Sequence, residues 1–286
     1  MVRAVGREQF RRIVSQALAE DLASGDVTTE ALVPFGLVGK ASILFKRDGV
    51  LAGIDVAKEV FQQVDHSLRF KAPVKDGAKV RKGDVVATVE GKAASILKAE
   101  RTALNFLQHL SGIATETAQY VDAVSGTKAV ITDTRKTLPG LRLLEKYAVR
   151  VGGGQNHRLN LGDGVLIKDN HLIALRASRV GLDEAVKKAR RRALRATKVE
   201  VEVESVKQAR EALSAGADII MLDNMKVKDM QKAVELVRRR ALLEASGGIT
   251  LSNVRSVAKT GVNLISIGAL THSAKALDIS LELDIV

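Results

Sequence analysis

The 286-residue sequence has no cysteine, no tryptophan and only 3 prolines. Without cysteine there can be no disulfide staple, no thiolate nucleophile and no cysteine-ligated zinc. So few prolines argue against long disordered linkers. Aromatic residues make up 3% of the chain, too few to build the stacking platforms on which single-stranded nucleic acids lie. Zinc-finger, RRM and KH signatures are missing as well. No apolar run is long enough to span a bilayer: stretches such as DIIML at 218–222 are strand-sized. The N-terminal MVRAVGREQFRRIVSQALAEDLA has no apolar run of signal-peptide length. These absences give the expectation of a cytoplasmic chain that engages neither membrane nor nucleic acid.

What the chain does contain is an ordinary globular mixture, 46% hydrophobic and 27% charged. Its length suits one large α/β domain or two domains sharing a core. The charge is lopsided: 45 lysines and arginines against 33 acids give +12. Such a balance fits nucleic acid, an anionic membrane surface or a small anionic ligand. The densest basic run, KKARRRALRATK at 187–198, reads as the solvated face of a surface helix.

The first hundred residues read as helix then strands. Residues 8–22 carry helical periodicity, 39–46 and 50–53 are strand-like, and 55–64 form a short helix. The segment 71–90 resembles the hairpin of biotinyl and lipoyl carrier domains, but Lys75 is not in the setting of a carrier lysine. It is read as a β-hairpin with glycine-bearing turns. Residues 93–123 form the longest helical pattern, with a break expected at Ser111-Gly112. From residue 128 strands alternate with helices: strands at 129–133, 164–168, 198–204, 218–223, 241–245 and 263–267, helices at 205–215 and 226–240. That alternation makes a parallel sheet. Polar residues cluster at the C-terminal ends of the strands, which favours a (β/α) barrel. With six strands the barrel is incomplete, and a doubly wound open sheet stays possible. Neither G-x-G-x-x-G after a first strand nor a P-loop occurs.

Several of those strand ends carry chemistry. KVEVEVE at 198–204 alternates with period two, so Glu200, Glu202 and Glu204 share one face and the valines the other. Carboxylates turned into a barrel need cations, hydrogen-bond donors or a metal such as Mg²⁺. Asp223 ends an apolar strand, placed for a metal or a ribose hydroxyl, or to cap the next helix. Ser246-Gly247-Gly248 and Gly268, followed by Ala269 and Leu270, come after the last two strands, where barrels commonly bind phosphate. Arg135, Lys136, His157, Arg158 and Lys168 crowd the strand ends between 132 and 171. So many cations would repel one another unless an anion sits among them.

The motifs TDTRKTLPGLR (132–142), GGGQNHR (152–158), LIKDNH (166–171), VEVEVES (199–205), IIMLDNM (219–225), EASGGI (244–249) and SIGALTHSA (266–274) resemble the quinolinate phosphoribosyltransferase family. EDLASGDVTTEALVP (20–34) and AERTALNFLQHLSGIAT (99–115) extend the likeness over nearly the whole chain. One departure is Leu138, where many members carry a second threonine; it touches none of the charged roles.

The resemblance implies an α/β fold: an N-terminal α/β sandwich over residues 1–110, to which a tail at 273–286 returns, and a C-terminal incomplete (β/α) barrel over 111–272. It implies phosphoribosyl transfer from 5-phosphoribosyl 1-pyrophosphate (PRPP) to the ring nitrogen of quinolinate with decarboxylation, in NAD biosynthesis. Carried over by motif, Arg135, His157, Arg158 and Lys168 grip the quinolinate carboxylates. Lys136 lies nearer the PRPP phosphates, and Thr134 of the same motif joins the substrate-binding set. Glu202 and Asp223 face the ribose hydroxyls and Mg²⁺. Ser246, Gly247, Gly248, Gly268, Ala269 and Leu270 form the phosphate end. His157, Lys168, Glu202 and Asp223 are the implied catalytic residues. Members form a homodimer or larger assembly, in which Arg101 reaches the neighbouring site. A sister group, the ModD-like proteins associated with molybdenum transport, shares the fold and much of the PRPP site.

Overall fold

The change of rhythm near residue 128 corresponds to two different kinds of sheet in the computed structural model, which describes residues 7–194 and 197–285. The first elements in chain order are α1 (Arg7–Asp21), α2 (Val27–Leu32), β1 (Val38–Phe45), β2 (Gly49–Val50), α3 (Ile54–Val64), β3 (Arg69–Lys71), β4 (Lys79–Val80), β5 (Val85–Lys92) and α4 (Ala93–Ala123). There follow β6 (Val130–Thr132), α5 (Arg142–Val151), β7 (Val165–Ile167), α6 (Asp169–Arg176), α7 (Leu182–Arg192), β8 (Val199–Val203) and α8 (Val206–Ser214). The last are β9 (Ile219–Asp223), α9 (Val227–Val237), β10 (Leu242–Ser246), α10 (Val254–Ala258), β11 (Leu264–Ser266), α11 (Ala269–His272) and β12 (Ile279–Ile285). They form two compact units. One contains the described residues up to Ala118, Thr137–Gly153 and those from Ala269 onward; the other contains Gln119–Lys136 and Gly154–Gly268. The segment Thr137–Gly153, inside the sequence division's C-terminal half, thus packs with the first unit.

In the first unit an antiparallel sheet runs β12-β1-β5-β3. Strand β1 alternates as a half-buried strand must: Ala41, Ile43 and Phe45 are fully buried, with Lys40 on the other face exposed. Residues 71–90 do not form one simple hairpin. Strand β3 pairs with β5, while the intervening β4 pairs with β2 in a separate small sheet. The break expected at Ser111-Gly112 does not occur, and α4 runs unbroken for 31 residues. Ser111 Oγ accepts from Ala52 N at 3.0 Å and donates to Ala52 O at 3.2 Å. A methyl on Gly112 would lie 2.3 Å from the Lys275 carbonyl oxygen. The two small residues are a notch for neighbouring backbone, and close approach outweighs glycine's poor helix propensity.

In the second unit six strands make a parallel sheet in the order β6-β11-β10-β9-β8-β7. From β7 to β11 each strand is added beside the one before it, and β6 then joins β11. A doubly wound sheet reverses direction partway; this one never does, so it is an incomplete barrel open between β6 and β7. Val199, Val201, Val203, Ile220, Leu222, Ala245 and Ile265 on its helix-facing side are all nearly or fully buried. The basic run begins in α7, which buries Leu182, Ala185 and Val186 and exposes most of its charges. Two of these pair locally, Lys187 with Asp183 at 2.8 Å and Arg190 with Asp218 at 2.7 Å. Arg195 and Ala196 of that run lie outside the described residues.

Candidate active site

Strand register, more than any loop, assembles the polar face of the barrel. Glu202 pairs with Met221, Met221 with Glu244, and Glu244 with Leu264. Two residues further along, Asp223 pairs with Ser246. Since side chains alternate along a strand, Glu200, Glu202, Asp223, Glu244 and Ser246 all lie on the face opposite the buried valines. Glu204 falls just past the end of β8 and is exposed.

Beyond β6, Gln155 forms an isolated parallel bridge with Thr132. This brings the next two residues to Asp133, which is fully buried. The Asp133 carboxylate accepts from His157 N at 2.8 Å and from the Asn156 side-chain amide. The imidazole of His157 then meets two acids: its Nε2 is 3.1 Å from Glu200 and 3.6 Å from Glu244. Glu244 has no exposed surface. Burial, and next the nearby charge of Glu200, push its carboxyl up to about 7, with His157 opposing the shift.

Lys168 follows β7. Its backbone N–H donates to His171 Nδ1 at 2.9 Å and its Nζ donates to Glu202 Oε2 at 3.1 Å. Arg158 donates to the Gly164 carbonyl at 3.0 Å. Its pKa is lowered, first by burial and then by the positive charge of Arg135. The positive charge of Arg135 is thus felt at Arg158, in the same unit. Thr134 is half-buried beside them and Lys136 is exposed.

On the opposite side, Gly247 and Gly248 both take left-handed backbone angles, φ 85° and 60°, which glycine adopts without steric cost. The loop is braced by Asn253, which donates to the Gly248 carbonyl and accepts from Thr250 N, both at 2.9 Å. Gly268 follows β11 within the same unit, whereas Ala269 and Leu270, which open the four-residue α11, belong to the first unit. Asp223 does not cap the following helix; Lys226 stands at that position. Arg101 lies exposed on α4 in the first unit.

The acids offer a donor set for a hard cation. Glu202 and Asp223 share one face of adjacent strands and are both only partly buried. Lys168 and Asn224 each contact a single oxygen of these carboxylates. Such oxygen donors suit Mg²⁺. His157, Glu200 and Glu244 also bring ligand atoms within 4.8 Å of one another, but the 3.1 Å and 3.6 Å contacts from His157 Nε2 already tie these side chains to each other.

Most of the residues singled out in the sequence thus gather on one end of the second unit. Sequence reasoning passed over Glu244 and Asp133 as functional residues. Glu244 had a legible signal, an acid two positions before Ser246 in an otherwise apolar strand. Asp133 had none beyond its place in a motif, because its partners come from a segment more than twenty residues away.

Residues 113–282 match the family model for the quinolinate phosphoribosyl transferase C-terminal domain, and residues 26–111 match the model for its N-terminal domain. The chain is 49% identical over 279 residues to the nicotinate-nucleotide pyrophosphorylase (carboxylating) of Mycobacterium leprae, covering 96% of each. It is 44% identical over 275 residues to the probable enzyme of the same name from Bacillus subtilis, covering 96% of this chain and 93% of that one. Among solved structures, NadC from Streptococcus pyogenes superposes with a TM-score of 0.93 at 43% identity, covering 99% of both chains. The nicotinate-nucleotide pyrophosphorylase from Francisella tularensis does so with a TM-score of 0.93 at 40% identity, again over 99% of both.

Proposed function

The chain belongs to the quinolinate phosphoribosyltransferase family, and from that premise we propose how its residues divide the work of the family reaction. The enzyme transfers the phosphoribosyl group of PRPP to the ring nitrogen of quinolinate with loss of CO₂. The products are nicotinate mononucleotide, pyrophosphate and CO₂, and the step belongs to de novo NAD biosynthesis.

The observation that carries the substrate assignment is the pair Arg135 and Arg158. Each repels the other across a partly desolvated site, and a dianion placed between them converts that repulsion into two attractions. Quinolinate, with adjacent carboxylates, has the required charge. His157 and Lys168 complete the grip. The excess positive charge of the whole chain attracts both polyanionic substrates.

PRPP lies with its 5′-phosphate on Ser246, Gly247, Gly248, Gly268, Ala269 and Leu270, and its ribose beside Glu202 and Asp223. Lys136 and Thr134 sit toward its phosphates. Glu202 and Asp223 are the residues that would hold Mg²⁺, which when bound would supply charge neutralisation for the pyrophosphate leaving group. As the bond from ribose C1 to pyrophosphate breaks, C1 becomes positive, and the Glu202 carboxylate stabilises that charge. The ring nitrogen attacks C1 and becomes cationic. The bond from ring C2 to its carboxyl then breaks, the electron pair stays on C2 beside the cationic nitrogen, and CO₂ departs. C2 takes up a proton from water or from a nearby acid, for which Lys168 and His157 are the candidates. Most of the acceleration comes from positioning and fixed charge. The enzyme acts as a homodimer or larger assembly in the cytoplasm, with Arg101 of each chain reaching the neighbouring site.

The test is to incubate the purified chain with quinolinate, PRPP and Mg²⁺ and follow nicotinate mononucleotide and CO₂ together, with nicotinate as the control substrate. Both products from quinolinate and neither from nicotinate are expected. A folded sample that binds PRPP but leaves quinolinate untouched would move the assignment to another anionic heterocycle, as in the ModD-like branch.

A further inference from the structure

Asn224 has no role in the chemistry above, yet its geometry is unusual. It is a non-glycine residue in the left-handed region, with φ 51°. Asparagine tolerates that region better than most residues, and glycine better still. Its backbone N–H donates to the Ser246 carbonyl at 2.9 Å. Its side-chain amide donates to Asp223 Oδ2 at 2.8 Å. A methyl built on Gly247 would lie 2.3 Å from Asn224 Oδ1 and 2.5 Å from its Cγ. The side chain therefore lies against bare Gly247 at one end and holds the Asp223 carboxylate at the other. The residue ties the glycine loop after β10 to the acid that ends β9.

We propose that Asn224 is a positioning residue that fixes the Asp223 carboxylate and couples its placement to the Gly247 loop. The inference rests on the reading of these two elements as the 5′-phosphate and ribose contacts of the PRPP site. It gives Gly247 a second reason to be glycine: besides its backbone angle of φ 85°, it leaves the space into which Asn224 fits. Misplacing one PRPP contact misplaces the other, so the 5′-phosphate and the ribose are set together. Small errors in such placement cost on the order of a hundredfold in rate.

The experiment uses Asn224→Gly, Asn224→Ala, Gly247→Ala and the Asn224→Ala/Gly247→Ala double variant of the full chain. PRPP affinity is measured by calorimetry without quinolinate, and kcat and KM are measured for both substrates. Asn224→Gly keeps the backbone bond to Ser246 and relaxes the backbone, so a residue present only for its turn would be fully replaced by it. The expected result is an Asn224→Gly protein that melts no lower than wild type, binds PRPP roughly tenfold or more weakly, turns over more slowly, and keeps its quinolinate KM within about twofold. Gly247→Ala should cost much less in the Asn224→Ala background than in wild type, because the side chain it displaces is already gone. Wild-type PRPP affinity and turnover in Asn224→Gly would overturn the proposal. So would equal costs of Gly247→Ala in both backgrounds. If Gly247→Ala does not fold, the Asn224→Gly comparison decides alone. Wild type failing to bind PRPP would instead refute the PRPP reading itself.

Discussion

Replacing Glu244 with glutamine removes a buried charge while keeping shape, and its effect on stability has a definite sign. The Glu244 carboxyl is raised from its ordinary 4.5 to about 7. Between those values the folded protein holds a proton that the unfolded chain has released. The native state binds more protons there, so stability falls as pH rises through that window and levels off above it. Each pH unit corresponds to about 1.4 kcal/mol, so the window amounts to about 3 kcal/mol. Glu200 and His157 share the cluster, so the measured slope belongs to the set of three. The difference between variant and wild type reports the Glu244 proton together with the change its loss makes in these two neighbours. Urea unfolding of Glu244→Gln and wild type is compared in steps from about pH 5 to about pH 8. The curves should lie close together at the acid end and separate toward neutrality, with the variant more stable by up to about 3 kcal/mol. Parallel curves across the range would show that Glu244 does not gain its proton on folding.

Arg135→Ala should raise the quinolinate KM or lower kcat/KM by two orders of magnitude or so, roughly the loss of one charge-assisted anion contact at a desolvated site, with an unchanged melting temperature. Near-normal turnover would sink the carboxylate assignment. Gly112→Ala tests the notch in α4. Helix propensity alone predicts a gain of up to about 1 kcal/mol, but the methyl meets the Lys275 carbonyl at 2.3 Å, so a loss of about 1–3 kcal/mol is expected. Thermal melting gives the sign, and a stabilised variant refutes the close approach.

The strands of the second unit were legible because most are short apolar runs, and 198–204 alternates with period two. The period-two pattern of residues 198–204 placed Glu200 and Glu202 on one face before any fold was known, and their shared face in β8 agrees with it. The helix read at 205–215 starts at Ser205, whose side chain caps α8 by accepting from Gln208 N, whereas Asp223, read as a cap, is not one. Ser111-Gly112 misled for the opposite reason. Small residues inside a helical pattern look like breakers, and only the Ala52 and Lys275 backbones reveal them as contact points.

The sequence by itself determined which residues could sit at strand ends, because alternation and apolar runs are local properties. It also carried the family likeness through long ordered motifs. Only the tertiary structure decided which of those residues meet. Glu244 and Glu200 lie on different strands, and they close on His157 because the register of the parallel sheet and the Gln155 bridge bring them there. A charge acquires its strength, and a carboxyl its proton, from what surrounds it after water is excluded. That surrounding is a property of the fold and not of any stretch of chain.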